Sequence, residues 1–317
     1  MASRRNPHGS THPSVFADVP YFSVITPSFN QGAYIGECVR SVLAQNDADF
    51  EHLVFDNCST DETAAVLAGF PHLRVTREKD RGQSDAVNRG FQAATGEILC
   101  WLNSDDAYPP GVFARLREVF ADPSVQVVFG DVTQIAYDGS APLRVEGRFD
   151  RREDMVRWWR SDVRLHQPAI FFRSSVQRAT GLLREDLHLV MDYEYWWRMS
   201  EKFAFHYVPE VLAIQHRQPE SKTILDWQGV FAERERVFSP FYSLVDGGNR
   251  RAFDQERHRG LAERYLGEAY HNAASHPQAA IRAFVRSLKE APSYGLHARS
   301  LGLLRRLDWR RLLSSTK

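Results

Sequence analysis

Several things are scarce or missing in this 317-residue chain, and each absence excludes something. Only three cysteines occur, Cys38, Cys58 and Cys100, with no C-x-x-C pair. An odd count without such spacing excludes a disulfide framework, and Cys38 and Cys100 lie in apolar runs, so reduced, buried thiols are expected. No run of 18 apolar residues is present, so no membrane-spanning helix is expected. Net charge is missing too: 40 Lys and Arg balance 40 Asp and Glu. That argues against a protein that coats nucleic acid, and no nucleic-acid partner is expected. There is no G-x-x-x-x-G-K-[ST] phosphate loop, and no G-x-G-x-x-G follows the first apolar strand. A sugar nucleotidyltransferase would want a Gly-rich basic loop there; this chain has TPSFNQG.

What is present is ordinary in bulk and uneven in detail. With 43% hydrophobic and 25% charged residues the chain is of globular type. Its length allows one large domain or two modest ones. From Arg251 to Lys317 there are 13 Lys and Arg against 6 Asp and Glu, leaving 27 against 34 before them. An acidic body thus carries a basic tail, RSLGLLRRLDWRRLLSSTK, whose Leu and Arg are not cleanly segregated on a helical wheel. It reads either as an element leaning on an anionic membrane or as an ordinary surface helix. The opening MASRRNPHGSTHPS has basic residues without an apolar stretch behind them and reads as a floppy leader rather than a signal peptide. Cytoplasmic location, peripheral at the inner face of the membrane if the tail binds there, is the expectation.

Residues 22–137 alternate short apolar strands with amphipathic helices. Strands are expected at 22–25, 52–55, 98–102 and 125–129. Ile35, Cys38, Val39, Val42 and Leu43 fall at helical spacing. Ser59 and Glu62 read as a capping box opening a helix through Ala64, Ala65 and Leu67. Helices are also expected over 84–94 and around Val112, Leu116, Val119 and Phe120. This is the pattern of βαβ units: an α/β fold with a Rossmann-like, mainly parallel sheet and helices on both faces. The rhythm then changes. Asp138-Gly139 signals a hairpin, Met155, Trp158 and Trp159 an aromatic-rich helix, and 169–172 a strand. From about 224 the chain reads as helical, and 261–292 resembles one or two tetratricopeptide-like helical hairpins. The expected organisation is a leader over 1–20, an α/β half over 21–137, a second half of the same domain over 138–223, and an all-helical extension over 224–317.

Ligands of open parallel sheets bind beyond the carboxyl ends of the strands. After the first strand come Thr26, Pro27, Ser28, Phe29 and Asn30; after the second, Asp56 and Asn57; after 98–102, Asn103, Ser104, Asp105 and Asp106. Polar groups therefore converge on one edge. Adjacent carboxylates such as Asp105 and Asp106 repel and want neutralising, and a hard divalent cation, Mg²⁺ or Mn²⁺, suits oxygen donors and bridges to phosphates. The competing reading is a solvated turn ahead of Pro109-Pro110.

Five segments in order, FSVITPSFNQGAYIGECVRSVLAQ, VFDNCSTDET, DRGQSDAVNRGFQAATGEILCWLNSDD, HQPAIFFRS and VMDYEYWWRM, resemble the family-2 inverting glycosyltransferases of GT-A fold. The resemblance runs from about 22 to 223 and is nearest to the branch that builds bacterial capsular and other surface polysaccharides. It implies a nucleotide-diphosphate sugar as donor, UDP-linked by default, a saccharide or lipid-linked acceptor, and a divalent cation. It implies that 21–137 binds the donor and 138–223 the acceptor. Thr26 and Pro27, with Ser28 and Asn30, would line the nucleotide pocket, and Asp56 would contact the base, with Asn57 where relatives carry a second acid. In NSDD, Asp105 would lie near the ribose or diphosphate beside Ser104, Asp106 would bind the metal, and Asn103 replaces a common Asp. Asp192 aligns with the catalytic base; the residue-level alternative is that it caps its helix.

Further positions carry expectations of their own. Arg81 and Gln83 would reach the base or sugar. Asp85 and Asn88 open a helix whose N-terminus favours a diphosphate, though Asp85 also suits the helix dipole alone. His166 and Gln167 resemble the acceptor-side QP segment, with Glu194 a spare carboxylate and Trp196 one of four tryptophans suited to stacking on sugar or to the core. Relatives often read R-x-H-x-x-S-K-T near 216–223; here the segment is HRQPESKT. Gln218 falls where the His would be, and His216 is the substitute metal-ligand candidate. The rival functions are a non-catalytic scaffold that uses the helical tail and a nucleotidyltransferase that releases pyrophosphate.

Overall fold

The computed structural model describes residues 19–293 except Ala48, 137–139, Ser161, 219–225 and 274–276, together with Gly302 and Leu303. The N-terminal leader, the Asp138-Gly139 turn, the Ser221-Lys222-Thr223 segment and the basic tail beyond Leu303 lie outside the described residues.

An eight-stranded sheet runs β3-β2-β1-β4-β7-β5-β6, with β8 paired to β5. The central strand β1 (Phe22–Ser28) is buried along its whole length, because β2 (Phe50–Asp56) and β4 (Ile98–Trp101) flank it in parallel and helices cover both faces. On one face Val24 packs with Cys38 and Val42 of α1 (Ile35–Leu43) and with Phe113 and Leu116 of α4 (Val112–Phe120). On the other, Ile25 packs with α3 (Gln83–Ala93) and the aromatic side of α7 (Met191–Met199). A Cβ on Gly90 would collide with Ile25, so glycine lets α3 lie against β1 and brings its N-terminus to the strand ends.

The second half mixes directions. The strand β7 (Ile170–Arg173) runs antiparallel to both β4 and β5 (Val127–Ala136). The pair β5–β6, with β6 at Leu143–Val145, is antiparallel as the hairpin signal requires. The long β8 (Phe205–Arg217) is parallel to β5, with register shifts around Asp131. Four of the seven pairings are parallel, so the sheet is mostly parallel but mixed. Short helices α2 (Thr63–Ala68), α5 (Arg152–Val156) and α6 (Ser174–Thr180) fill connections.

The C-terminal part is helical: α8 (Trp227–Phe238), α9 (Arg250–Asn272) and α10 (Pro277–Glu290). It docks on the sheet layer through aromatic contacts, Trp158–Phe231 at 5.5 Å, Trp159–Phe253 at 5.4 Å and Trp197–Phe238 at 5.8 Å between ring centroids. Trp158, Trp159, Trp196 and Trp197 are 1–3% exposed and belong to the core. Among the described residues no helix is long and apolar enough to cross a membrane.

Three local expectations change. The strand β3 (Arg74–Arg77) is an exposed edge strand with no apolar alternation, which hid it in the sequence. The Ser59 capping box does not form, because Ser59 Oγ donates to Asp56 instead and the helix starts at Thr63. The aromatic-rich helix stops at Val156 and gives way to a 3₁₀ turn, Trp158–Arg160. Successive buried indoles do not fit on one α-helical face.

Candidate active site

Loops from the carboxyl ends of four strands meet in a cleft of about 460 Å³. Pro27 and Ser28 end β1 and Phe29 follows it, Asn57 follows β2, Asp80 follows β3, and Asn103 to Asp106 follow β4. The floor includes Gly82 and Gln83 at the start of α3, and Gly82 adopts φ +127°, a conformation that favours glycine. The far wall is Met191 and Asp192 at the start of α7, and Gln215, His216 and Gln218 close the remaining side.

The acid pair is built by stitching the loop after β4 to β8. Ala107 and Ile214 exchange two backbone hydrogen bonds, of 3.0 and 2.7 Å. This brings His216 against the loop: its amide donates to Asp106 Oδ1 at 3.2 Å, and its ring Nδ1 lies 2.6 Å from the Asp105 carbonyl oxygen. Burial pushes both carboxyls up, and for Asp106 the neighbouring Asp105 charge pushes further. Among the described residues neither acid has a Lys or Arg within ion-pair distance. Hard, buried, uncompensated oxygen donors are what a divalent cation would neutralise, so the residues fit such an ion. They do not make a complete cage: no group of three His, Cys, Asp or Glu disposed for a metal occurs among the described residues.

Asn103 is the hub of the floor. Its Oδ1 accepts from Gln83 Nε2 at 2.9 Å and Trp101 Nε1 at 3.0 Å, and its Nδ2 donates to Gln167 Oε1 at 2.8 Å. An aspartate could not make that last donation. Around this scaffold, Ser28 Oγ, Gln31 Oε1 and Gln218 Nε2 are buried without a hydrogen-bond partner among the described residues, and all three residues line the cleft. Buried polar atoms left unpaired are costly, so their grouping marks a place for a polar ligand.

Asp192 does not cap α7; Val190 occupies that position and Asp192 sits within the first turn. Burial raises its carboxyl above the usual range, against opposing effects from the Tyr193 amide and the Arg234 charge. The segment before it is held from α8. Glu233 accepts the amides of His188 and Leu189 at 2.9 Å each and that of Val190 at 3.1 Å. Asp192 and Leu189 also line a second cavity of about 420 Å³, walled by α8 and α9. Glu233→Ala is expected to cost about 1–3 kcal/mol, the penalty for orphaned donors, in urea unfolding. Faster hydrogen exchange confined to amides 188–190 would accompany it, and unchanged exchange there would contradict the clamp.

Other sequence candidates fall into two groups. Pro27, Ser28, Gln83, Asn103, Ser104, Asp105, Asp106, Gln167, Asp192 and His216 line the cleft. The rest do not. Thr26 is fully buried and hydrogen-bonded to His52 Nε2 at 2.9 Å, on the opposite face of β1 from Ile25. Asn30, at φ 52°, accepts from the Thr60 amide at 2.9 Å. Asp56 is buried against Ser59 and lies 3.3 Å from Arg77 Nε. Arg81 and Arg89 hold Asp85 down to about 2, so these charges satisfy one another. Asn88 exchanges hydrogen bonds with Leu183, at 3.0 and 2.8 Å. Glu194 turns away to Arg198 at 2.8 Å, as the two-residue spacing from Asp192 requires. Trp196 is core. His166 lines the second cavity, where burial lowers it to about 4. Sequence reasoning passed over Asp80, because the strand ahead of it was not seen, and Gln31 and Leu189, whose residue types carry no signal.

Residues 23–179 match the family model described as Glycosyl transferase family 2. A PGL/p-HBAD biosynthesis glycosyltransferase of Mycobacterium bovis is 33% identical over 184 residues, 56% of this chain and 68% of that protein. The S. aureus TarS 1-349 structure in complex with UDP superposes with a TM-score of 0.54 at 16% identity, covering 87% of this chain and 92% of that one. Against a longer TarS chain the likeness spans 55% of it. The mannosyltransferase PcManGT of Pyrobaculum calidifontis, in complex with GDP-Man and Mn²⁺, gives a TM-score of 0.54 at 20% identity over 90% of this chain and 79% of that one. At these identities the structural likeness speaks for the fold.

Proposed function

Because this chain belongs to glycosyl transferase family 2, we propose that it moves a sugar from a nucleoside-diphosphate donor to an acceptor hydroxyl with inversion, in the building of surface polysaccharide or glycoconjugate. The observation that carries the reading is the position of Asp192: one carboxylate lines both the acid-floored cleft and the second cavity. Donor in the first and acceptor in the second would meet at that residue.

The donor diphosphate would lie between the α3 N-terminus and the acid pair. Free amides at a helix start favour phosphate. Phe29, 52% exposed at the rim, offers a ring face to the base. Asp106, with Asp105 and His216 beside it, would hold a divalent cation, which when bound supplies Lewis-acid stabilisation to the departing diphosphate. Ser28, Gln31 and Gln218 supply the unspent polar atoms that would fix sugar or phosphate oxygens.

Asp192 would take the proton as the acceptor O–H bond breaks. The acceptor oxygen bonds the anomeric carbon on the face opposite the leaving group, and the anomeric C–O bond to phosphate breaks, releasing nucleoside diphosphate. A single displacement inverts the centre and needs no covalent enzyme intermediate. The Asn103 network holds the floor rigid, so little reorganisation accompanies charge development.

A thermal-shift screen of UDP-, GDP- and dTDP-sugars with and without Mn²⁺ tests this. One donor series is expected to raise Tm in the presence of Mn²⁺ and to release nucleoside diphosphate slowly in water. Silence from every nucleotide sugar would favour the scaffold reading, and pyrophosphate release would favour nucleotidyl transfer.

A further inference from the structure

The second cavity is built differently from the cleft. Four arginines line it, Arg157 and Arg164 from the segment before β7, Arg234 from α8 and Arg264 from α9. Arg157 donates to the Val245 carbonyl, Arg164 to the Glu146 carbonyl at 3.0 Å, and Arg264 to the Trp158 and Trp159 carbonyls at 2.7 and 3.1 Å. A carbonyl satisfies an N–H but does not compensate the guanidinium charge of Arg157 or Arg164. Among the described residues Arg157, Arg164 and Arg234 have no carboxylate within ion-pair distance.

Arg234 is the most exposed to this argument. Its guanidinium lies over Tyr193, 4.8 Å from the ring centroid, and over Trp158 at 5.9 Å. Its Nε is buried with no hydrogen-bond partner among the described residues. Stacking fixes the plane of the fork in advance, which is what bidentate recognition of a carboxylate or phosphate needs. Four acids also line the cavity, Asp154, Asp162, Asp192 and Glu268. Asp154 faces Arg151 at 3.4 Å, Glu268 is half-buried and feels the Arg264 charge, Asp192 is the proposed base, and among the described residues Asp162 has no arginine of the cavity within ion-pair distance. Trp227, Phe231 and Leu165 supply apolar wall.

We propose that the second cavity takes an acceptor saccharide bearing an anionic group, a carboxylate or a phosphate, and that Arg234 holds that group so that a neighbouring hydroxyl meets Asp192. This rests on the transfer reading for the identity of the ligand as acceptor. The anion site itself rests on the arginines alone. Arg157 and Arg164 add field at the entrance, and the helical extension thereby becomes part of the acceptor site.

Ligand-observed NMR titration of the full chain with glucose, glucuronate and glucose 6-phosphate, at low and high NaCl, tests it. At least one charged sugar is expected to bind about tenfold or more tighter than glucose at low salt, with the preference shrinking as salt rises. The tighter of the two identifies carboxylate or phosphate as the group. Arg234→Gln is expected to remove most of the preference and Arg234→Lys to restore part of it. Arg164→Gln, at an exposed position where folding is safe, is expected to weaken it by a few-fold. Equal binding of glucose and both anions, or a preference intact in Arg234→Gln with an unaltered near-UV circular dichroism spectrum, would overturn the proposal. A thermal-shift series with UDP and GDP on the same preparations keeps the two readings apart. Nucleotide response without anion preference removes this inference alone, and anion preference without nucleotide response leaves the anion site and removes sugar transfer.

Discussion

Asparagine at position 192 is expected to lower kcat by about 10²–10⁴-fold, the usual contribution of a positioned general base, while nucleotide-sugar affinity stays unchanged. The amide is nearly isosteric and can still accept the hydrogen bond that Tyr193 N–H makes to Asp192 Oδ1 at 2.7 Å, so the fold should not suffer. What it cannot do is take a proton. The pH profile gives an independent check. Burial holds the Asp192 carboxyl above its ordinary range near 4. The base works only when ionised, so kcat/KM should fall on the acid side as pH drops through that raised value, earlier than for an exposed carboxylate. Arg234 opposes the rise, so its neutral replacement should move the acid limb to still higher pH. A loss below tenfold in Asp192→Asn, or an acid limb at the ordinary carboxylate position, would demote the residue to a piece of helix.

Asp106→Asn should act on the other partner and leave a different signature. Activity should fall by about 10²–10³-fold or more, the scale of losing preorganised stabilisation of developing charge, and the Mn²⁺-dependent part of the nucleotide thermal shift should vanish. Chelation of the wild type should reproduce both. Stability in the absence of metal should move the opposite way. The folded Asp106 carboxyl is raised, by burial first and by Asp105 second. A raised carboxyl means that ionisation opposes folding, so metal-free protein loses stability as pH climbs from the ordinary carboxylate value through the raised one. Asparagine removes that cost, and the variant should melt higher than the metal-free wild type at neutral pH. Undiminished turnover, or a variant that melts lower and keeps its Mn²⁺ response, would contradict the assignment.

The two halves of the molecule were not equally legible in the sequence. The strand and helix pattern from 22 to 129 announced itself because buried parallel strands are continuously apolar and their covering helices are amphipathic, as at Val24, Val39 and Leu116. The acid pair was visible because it follows such a strand. Arg74–Arg77 was not, since an edge strand carries no apolar alternation, and Asp80 went with it. Side-chain direction was the other blind spot. Thr26 and Ser28 point to the cleft's edge in the sequence alike, yet Ser28, the last residue of β1, lines the cleft while Thr26, two residues inside the strand, is buried against His52. Asp85 and Asn88 looked ligand-facing from a helix start, but two neighbouring arginines claim the first and the sequence-distant Leu183 backbone the second. Glu233 could not have been foreseen, because its three amide partners lie more than forty positions away.

The cleft is carried by sheet loops and the second cavity by the helices behind them, with Asp192 on the boundary. On the proposed division of the two cavities, substitutions on α8 and α9 would change acceptor preference and leave the donor side as it is. Asp192 and the Glu233 tether sit where that freedom would stop, because a change there would reach both cavities at once.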